Sequence, residues 1–194
     1  MEKKIILFGG SFDPVHIGHL IIAQLAVDFI CADKVIFIPC YKSPLKKNLP
    51  LAGNNHRIKM LEYAIKGNLK FEISKFEIER GKVSYTYDTV CYFHGKYPEA
   101  KLYFLLGKDS LLEFALWKRW KDILKIVRLI VAERIVSKNS ISQILTEGKI
   151  FFLPSLKVDI SSTRIRQMVQ QGQSIRYLVP PEVDAYIKRH KLYL

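Results

Sequence analysis

Short apolar runs and amphipathic segments alternate along the whole chain. Runs near Lys4–Phe8, Lys34–Ile38, Leu69–Ser74, Leu102–Leu106, Arg128–Val131 and Ile150–Leu153 predict short strands. Their lack of in–out alternation fits strands buried on both faces. Between them, Arg57–Ile65 places Ile58, Leu61 and Ile65 on one face, as an amphipathic helix requires. Leu20–Ala26, Tyr87–His94, Ser110–Ala115 and Ser140–Leu145 are further helical candidates. Arg164–Val169 is another, with Gly172 expected just beyond its C-cap. A last helix, Glu182–His190, follows Pro180-Pro181 and ends on basic residues that complement its dipole. Strands separated by helices predict an α/β fold: a Rossmann-like, doubly wound parallel sheet with a small C-terminal helical part. A length of 194 residues with no break in composition predicts one domain, 1–194.

The chemistry concentrates where the first predicted strand gives way to a helix. Gly9-Gly10-Ser11-Phe12-Asp13-Pro14-Val15-His16-Ile17-Gly18-His19 joins a tight, glycine-bearing turn to a helix N-terminus. Unpaired N–H groups there carry a partial positive charge of roughly half a unit and favour phosphate. His16 and His19, three apart, fall on one face of the first helical turn. Asp13-Pro14 is read as a turn initiator without a catalytic role.

Ser162 and Thr163 are expected to cap a second helix and make a second anion site, with Arg166 pointing back toward it. Arg164 has the opposite helical phase and is expected at the surface. Gly107 and Asp109 follow a predicted strand at its C-terminal end, where open α/β sheets bind ligands. Asp109 there can take ribose hydroxyls or cap a helix. Trp117 can stack on an aromatic ring or pack in the core, and Trp120 is assigned to the core.

Composition narrows the setting. A net charge of +13 favours acidic partners, yet the lysines are scattered, apart from Lys42, Lys46 and Lys47. That cluster lies in the longest predicted loop, Pro39 to Asn55, which is expected to act as a flap. No apolar run approaches the roughly 20 residues of a membrane helix, and Ile5–Phe8 is too short for a secretory leader. Cys31, Cys40 and Cys91 form neither a disulfide framework nor a zinc pattern and read as buried or half-buried small residues. A cytoplasmic protein without a membrane partner is expected.

The H-x-G-H stretch resembles the first signature of the nucleotidyltransferase superfamily, and Ser161-Ser162-Thr163-Arg164-Ile165-Arg166 resembles its second. Further segments are similar to bacterial nicotinate-nucleotide adenylyltransferases: Arg57-x-x-Met60-Leu61, Ser84-Tyr85-Thr86-Tyr87-Asp88-Thr89, Gly107-Lys108-Asp109-Ser110-Leu111, Trp117-Lys118-Arg119-Trp120 and Val179-Pro180-Pro181-Glu182-Val183. The resemblance implies adenylyl transfer from ATP to nicotinate mononucleotide, giving nicotinate adenine dinucleotide and pyrophosphate. It implies His16, His19, Lys46 and Arg166 as catalytic residues. Gly9, Gly10, Ser11, Phe12, Gly107, Asp109, Ser162 and Thr163 are then implied for ATP, and Thr86, Trp117 and Arg134 for substrate. Mg²⁺ is expected to arrive on the ATP phosphates, since no carboxylate cage is evident. Where that family usually reads P-P-H-K, this chain has Ser43-Pro44-Leu45-Lys46. Leu45 cannot donate the hydrogen bond of an imidazole, a loss of about 1.5–3 kcal/mol when the acceptor is charged.

The alternatives are a related transferase with a nicotinamide mononucleotide or phosphopantetheine acceptor, and a basic RNA- or nucleotide-binding module. Nucleic acid is disfavoured because aromatic-rich strand motifs for base stacking are not evident. Oligomeric state is left open, a homo-oligomer included.

Overall fold

The computed structural model describes residues 2–45, 48–132, 150–154 and 159–194. Its strands are β1 (Lys4–Gly10), β2 (Lys34–Pro39), β3 (Phe71–Ile73), β4 (Lys101–Leu106), β5 (Val127–Val131) and β6 (Ile150–Phe152). They form one parallel sheet in the order β3-β2-β1-β4-β5-β6. The helices are α1 (Ile17–Ile30), α2 (Asn54–Ile65), α3 (Phe76–Arg80), α4 (Thr86–Lys96), α5 (Lys108–Leu112), α6 (Trp120–Ile126), α7 (Ser162–Gln170) and α8 (Pro181–Arg189), with a 3₁₀ turn at Phe114–Leu116. This is the open, doubly wound α/β architecture expected from the pattern.

Period-two geometry divides the sheet residues between two cores. Ile6, Phe8, Val35, Phe37, Tyr103 and Leu105 pack with residues of α1, α2, α7 and α8. Ile5, Leu7, Ile36, Ile38, Leu102 and Phe104 pack on the opposite face with residues of α4 and α6. Both faces are apolar because both are covered. Chain order reverses between β1 and β4, which pair in register from Lys4↔Lys101 to Phe8↔Leu105. Their C-terminal ends frame the crevice in which such sheets bind ligands.

Several boundaries shift from expectation. The third strand is only Phe71–Ile73, and Leu69 is fully exposed, because a turn closed by Asn68 precedes it. The segment expected as the helix Ser110–Ala115 is α5 followed by the separate 3₁₀ turn. Helices α3 and α6 have no counterpart in the periodicity, since five and seven residues are too few to display it. The candidate Ser140–Leu145 lies outside the described residues. Gly172 adopts φ +68°, as the expected C′ position requires. Cys40 is buried and Cys91 half-buried, but Cys31 is exposed, because it ends α1 in the left-handed conformation. Among the described residues, no helix is long and apolar enough to cross a membrane.

Candidate active site

Gly9 and Gly10 end β1 under tight spatial limits. A Cβ on Gly10 would come within 3.0 Å of the Phe12 ring, and one on Gly9 within 3.4 Å of Phe104. Phe12 is buried at φ +47°, a conformation that costs a non-glycine residue roughly 1–2 kcal/mol. Edge-to-face and tilted contacts with Phe8, Phe37 and His19 hold its ring. The backbone of the loop is therefore set from below by an aromatic cluster.

Asp13 is the hub of the turn, although the residue is only 3% exposed. It accepts hydrogen bonds from the backbone N–H groups of Leu51 (2.7 Å) and Ala52 (3.1 Å) and from the Tyr193 hydroxyl (2.7 Å). Burial and the neighbouring carboxylate push the Tyr193 hydroxyl pKa far up, so it stays a donor. The Asp13 carbonyl accepts from Arg166 Nη1 at 2.8 Å, and the Pro14 carbonyl from Ser162 Oγ at 2.9 Å. Thus α7 docks directly on the first signature. Asp13 has a scaffolding task that its reading as a plain turn residue missed.

His16 is the N-cap of α1 and His19 lies one turn in, their rings stacked at 3.6 Å. The His16 N–H donates to His19 Nδ1 at 3.2 Å, which leaves the hydrogen of a neutral His19 on Nε2. Burial lowers His16 to a pKa of about 4, and burial with the nearby His16 pushes His19 well below the usual histidine value. At neutral pH both rings are uncharged, so they act as dipolar donors rather than as cations. Two first-turn N–H groups of α1 are already taken, Ile17 by the Leu178 carbonyl and His19 by the His16 carbonyl. The helix terminus offers fewer free donors than the sequence implied, and the imidazoles correspondingly more of the chemistry.

The low His16 pKa has a definite sign in stability. Folded His16 stays neutral between its ordinary value of 6.5 and about 4, while the unfolded chain takes up a proton there. The stabilisation is complete above pH 6.5 and is lost as pH falls toward 4, by about 3 kcal/mol. Glu77, whose carboxyl burial pushes up, acts in the opposite sense above pH 4.5. Urea titrations from pH 7 to 4 should therefore show a steeper loss in the wild type than in His16→Gln. Parallel curves for the two proteins would refute the assignment.

The remaining residues fall into place unevenly. Ser161, not Ser162 or Thr163, caps α7, its hydroxyl accepting from the Arg164 N–H at 3.2 Å. Ser162 is instead turned to Pro14, and Thr163 Oγ1 accepts from Arg166 Nη2 at 3.2 Å. Arg164 is exposed, as its phase predicted. Gly107 caps α5 after β4, so the alternative capping task for Asp109 falls away; Asp109 is exposed in the first turn of α5. Thr86 opens α4. Trp117 packs on Phe104 and Phe114, and its buried indole Nε1 has no partner among the described residues. Trp120 is half-buried against Phe114, in line with its core assignment. Lys118 over the Tyr85 ring (4.4 Å) and Arg119 over the Tyr87 ring (4.0 Å) clasp the Trp117 and Thr86 segments together. Leu45 is exposed. Lys46 and Arg134 lie outside the described residues.

Arg57 escaped the sequence reading as a site residue. It is fully buried, donating to the carbonyls of Ser11 (2.6 Å) and Cys40 (2.7 Å) and to Asn54 Oδ1 (2.7 Å). The signal was present, since Arg57, Leu61 and Ile65 share one helical stripe and an arginine on an apolar stripe needs a reason. No sequence signal links Tyr193 to Asp13 across 180 positions.

A parallel α/β sheet with a histidine-bearing turn at its switch point and a second helix docked upon it defines a nucleotide-handling fold. A cytidylyltransferase-like family model matches residues 7–168, which places the chain in that class. It is 40% identical to a protein of Caldicellulosiruptor saccharolyticus, over 98% of both chains, and 39% identical to one of Pelobacter propionicus, again over 98% of both. Both relatives carry the name Probable nicotinate-nucleotide adenylyltransferase. The fold is similar to that of a Plasmodium falciparum nicotinic acid mononucleotide adenylyltransferase complexed with NaAD (TM-score 0.83, 22% identity, 98% and 97% coverage). The chain belongs to the nicotinate-nucleotide adenylyltransferase family.

Proposed function

We propose that this protein transfers the adenylyl group of ATP to nicotinate mononucleotide, releasing pyrophosphate and forming nicotinate adenine dinucleotide. The observation that carries the reading is the stacked His16–His19 pair at the switch point, with Arg166 bonded to the Asp13 carbonyl of the same turn. An oxygen of the acceptor's 5′-phosphate attacks the α-phosphorus of ATP, and the bond from that phosphorus to the bridging oxygen breaks as pyrophosphate leaves. The nucleophile is already ionised, so the chain need not supply a base. What it must supply is positioning and neutralisation of the charge that gathers on the leaving group.

In this reading His19 Nε2–H donates to the departing phosphate, and His16 holds His19 in the donor tautomer. Arg166 adds a permanent charge at the N-terminus of α7, where the first-turn backbone N–H groups of Ser162 and Thr163 complete the phosphate contacts, the Ser162 hydroxyl being held by Pro14. Gly9, Gly10, Ser11 and Phe12 line the phosphate loop, while Gly107 and Asp109 receive the adenosine ribose. Thr86, at the start of α4, and Trp117 receive the nicotinate, whose carboxylate gains from a helix N-terminus. Lys46 and Arg134 keep the roles that the family resemblance implies, on phosphate and nucleoside respectively. One parallel sheet and the docking of α7 onto the first signature support a single functional domain.

Mg²⁺ is proposed as the divalent ion, carried by ATP as part of the substrate. Among the described residues, no group of three or more His, Cys, Asp or Glu could hold a metal, so no step is assigned to a protein-held ion. A cytoplasmic setting is proposed with it, where ATP is abundant and the three free cysteines stay reduced.

The test is pyrophosphate release from ATP and Mg²⁺, with the acid and amide mononucleotides compared as acceptors. Turnover is expected with the acid, with at least a tenfold lower kcat/KM for the amide. EDTA should abolish it and excess Mg²⁺ restore it. Release with neither mononucleotide would overturn the reading, and preference for the amide would move the acceptor assignment.

A further inference from the structure

We propose that Arg57 is a positioning residue for the polyphosphate, acting from beneath the loop through the Ser11–Phe12 peptide. The inference rests on the adenylyl-transfer reading above.

A guanidinium with no exposed surface is costly unless its charge is answered. All three of its hydrogen bonds among the described residues go to neutral acceptors: two carbonyls and an amide oxygen. Its Nε is buried and has no partner among the described residues. Arginine stays charged at such a site, so a full positive charge lies under the loop without a carboxylate bonded to it. Cys40, Asp13, Tyr193 and Glu77 act on it electrostatically without bonding to its nitrogens through a side chain, and the Asp13 carboxylate is already occupied by three donors. Among the described residues no carboxylate is hydrogen-bonded to it, and an arriving triphosphate brings further counter-charge to the loop above it.

The contact with Ser11 makes this more than a background field. Ser11 C=O and Phe12 N–H belong to one planar trans peptide, in which the two groups point in opposite directions. Drawing the carbonyl inward to 2.6 Å from Nη1 turns the Phe12 N–H away from the guanidinium and polarises it as a donor. The left-handed φ of Phe12 continues the turn into Asp13, the backbone form from which anion-binding concavities are made. The second fork nitrogen binds Cys40 C=O just past β2 and Asn54 at the start of α2. One side chain therefore fixes the phosphate loop against both ends of the segment that runs beside it.

Arg57→Met removes the charge and the fork at nearly constant volume, whereas Arg57→Lys keeps the charge but can reach fewer acceptors. Steady-state kinetics on the full chain would be combined with inorganic tripolyphosphate as a competitive inhibitor against ATP. Arg57→Met is expected to raise the KM for ATP and the Ki for tripolyphosphate together, about tenfold. The KM for the acceptor mononucleotide should change less than twofold, and Arg57→Lys should fall between Met and wild type. A merely structural role predicts reduced active fraction with both KM values and the Ki unchanged, which would overturn the proposal. If Arg57→Met does not fold, Arg57→Lys decides: a raised tripolyphosphate Ki supports the proposal and a wild-type Ki overturns it. Failure of both variants to fold makes Arg57 a folding residue and also overturns it. Lack of turnover by the wild type would instead strike the adenylyl-transfer reading.

Discussion

Replacing His19 by alanine is expected to lower kcat about 100- to 1,000-fold, the effect of removing one preorganised donor aimed at developing charge. The expectation follows from the tautomer. His19 Nδ1 is committed to the His16 N–H, so the one hydrogen of the neutral ring sits on Nε2. Burial holds the ring neutral, which means the donor is present throughout the neutral range and needs no protonation step. Because the contact strengthens as charge reaches the leaving group, kcat and kcat/KM should fall together, with little change in the KM for ATP. Pyrophosphate release under saturating ATP measures the effect, and circular dichroism checks that the variant is folded. A rate within threefold of wild type in a folded variant would remove His19 from the mechanism.

The second large effect is on stability. Asp13→Ala should destabilise the protein by about 3–5 kcal/mol and lower Tm by roughly 10 °C. Three donors converge on the one carboxylate, from Leu51, Ala52 and Tyr193, and each loses its acceptor in a buried setting. The nearby buried Arg57 also loses an opposing charge. Tyr193→Phe deletes only one of these donors and should cost about 1 kcal/mol, so comparison of the two variants separates the hub from its C-terminal spoke. Thermal and urea unfolding read both. Equal Tm values for Asp13→Ala and wild type would mean that the hub contributes nothing.

Local patterning carried much of the architecture. The apolar runs marked each of the six strands among the described residues, because a strand covered on both faces has no polar positions to interrupt it. The stripe of Ile58, Leu61 and Ile65 marked α2, and Gly172 marked the end of α7. Short elements were lost for the same reason: α3 and α6 complete too few turns to show a period. Capping was misassigned within Ser161-Ser162-Thr163, because three adjacent hydroxyls are equally good caps until the chain direction into the helix is known.

The candidate site divides along the same line. The amino-acid order by itself determined a glycine turn entering a helix, two histidines one turn apart and a second capped helix bearing Arg166, since these depend on neighbours within a few residues. It also carried the family motifs. Only the tertiary structure decided the state of those groups. Burial made the histidines neutral donors, packing turned Ser162 onto Pro14, and Arg57 and Tyr193 were brought beneath the turn from 46 and 180 positions away. Protonation, tautomer and counter-charge depend on which distant groups exclude water from a site, and that exclusion exists only once the chain has folded.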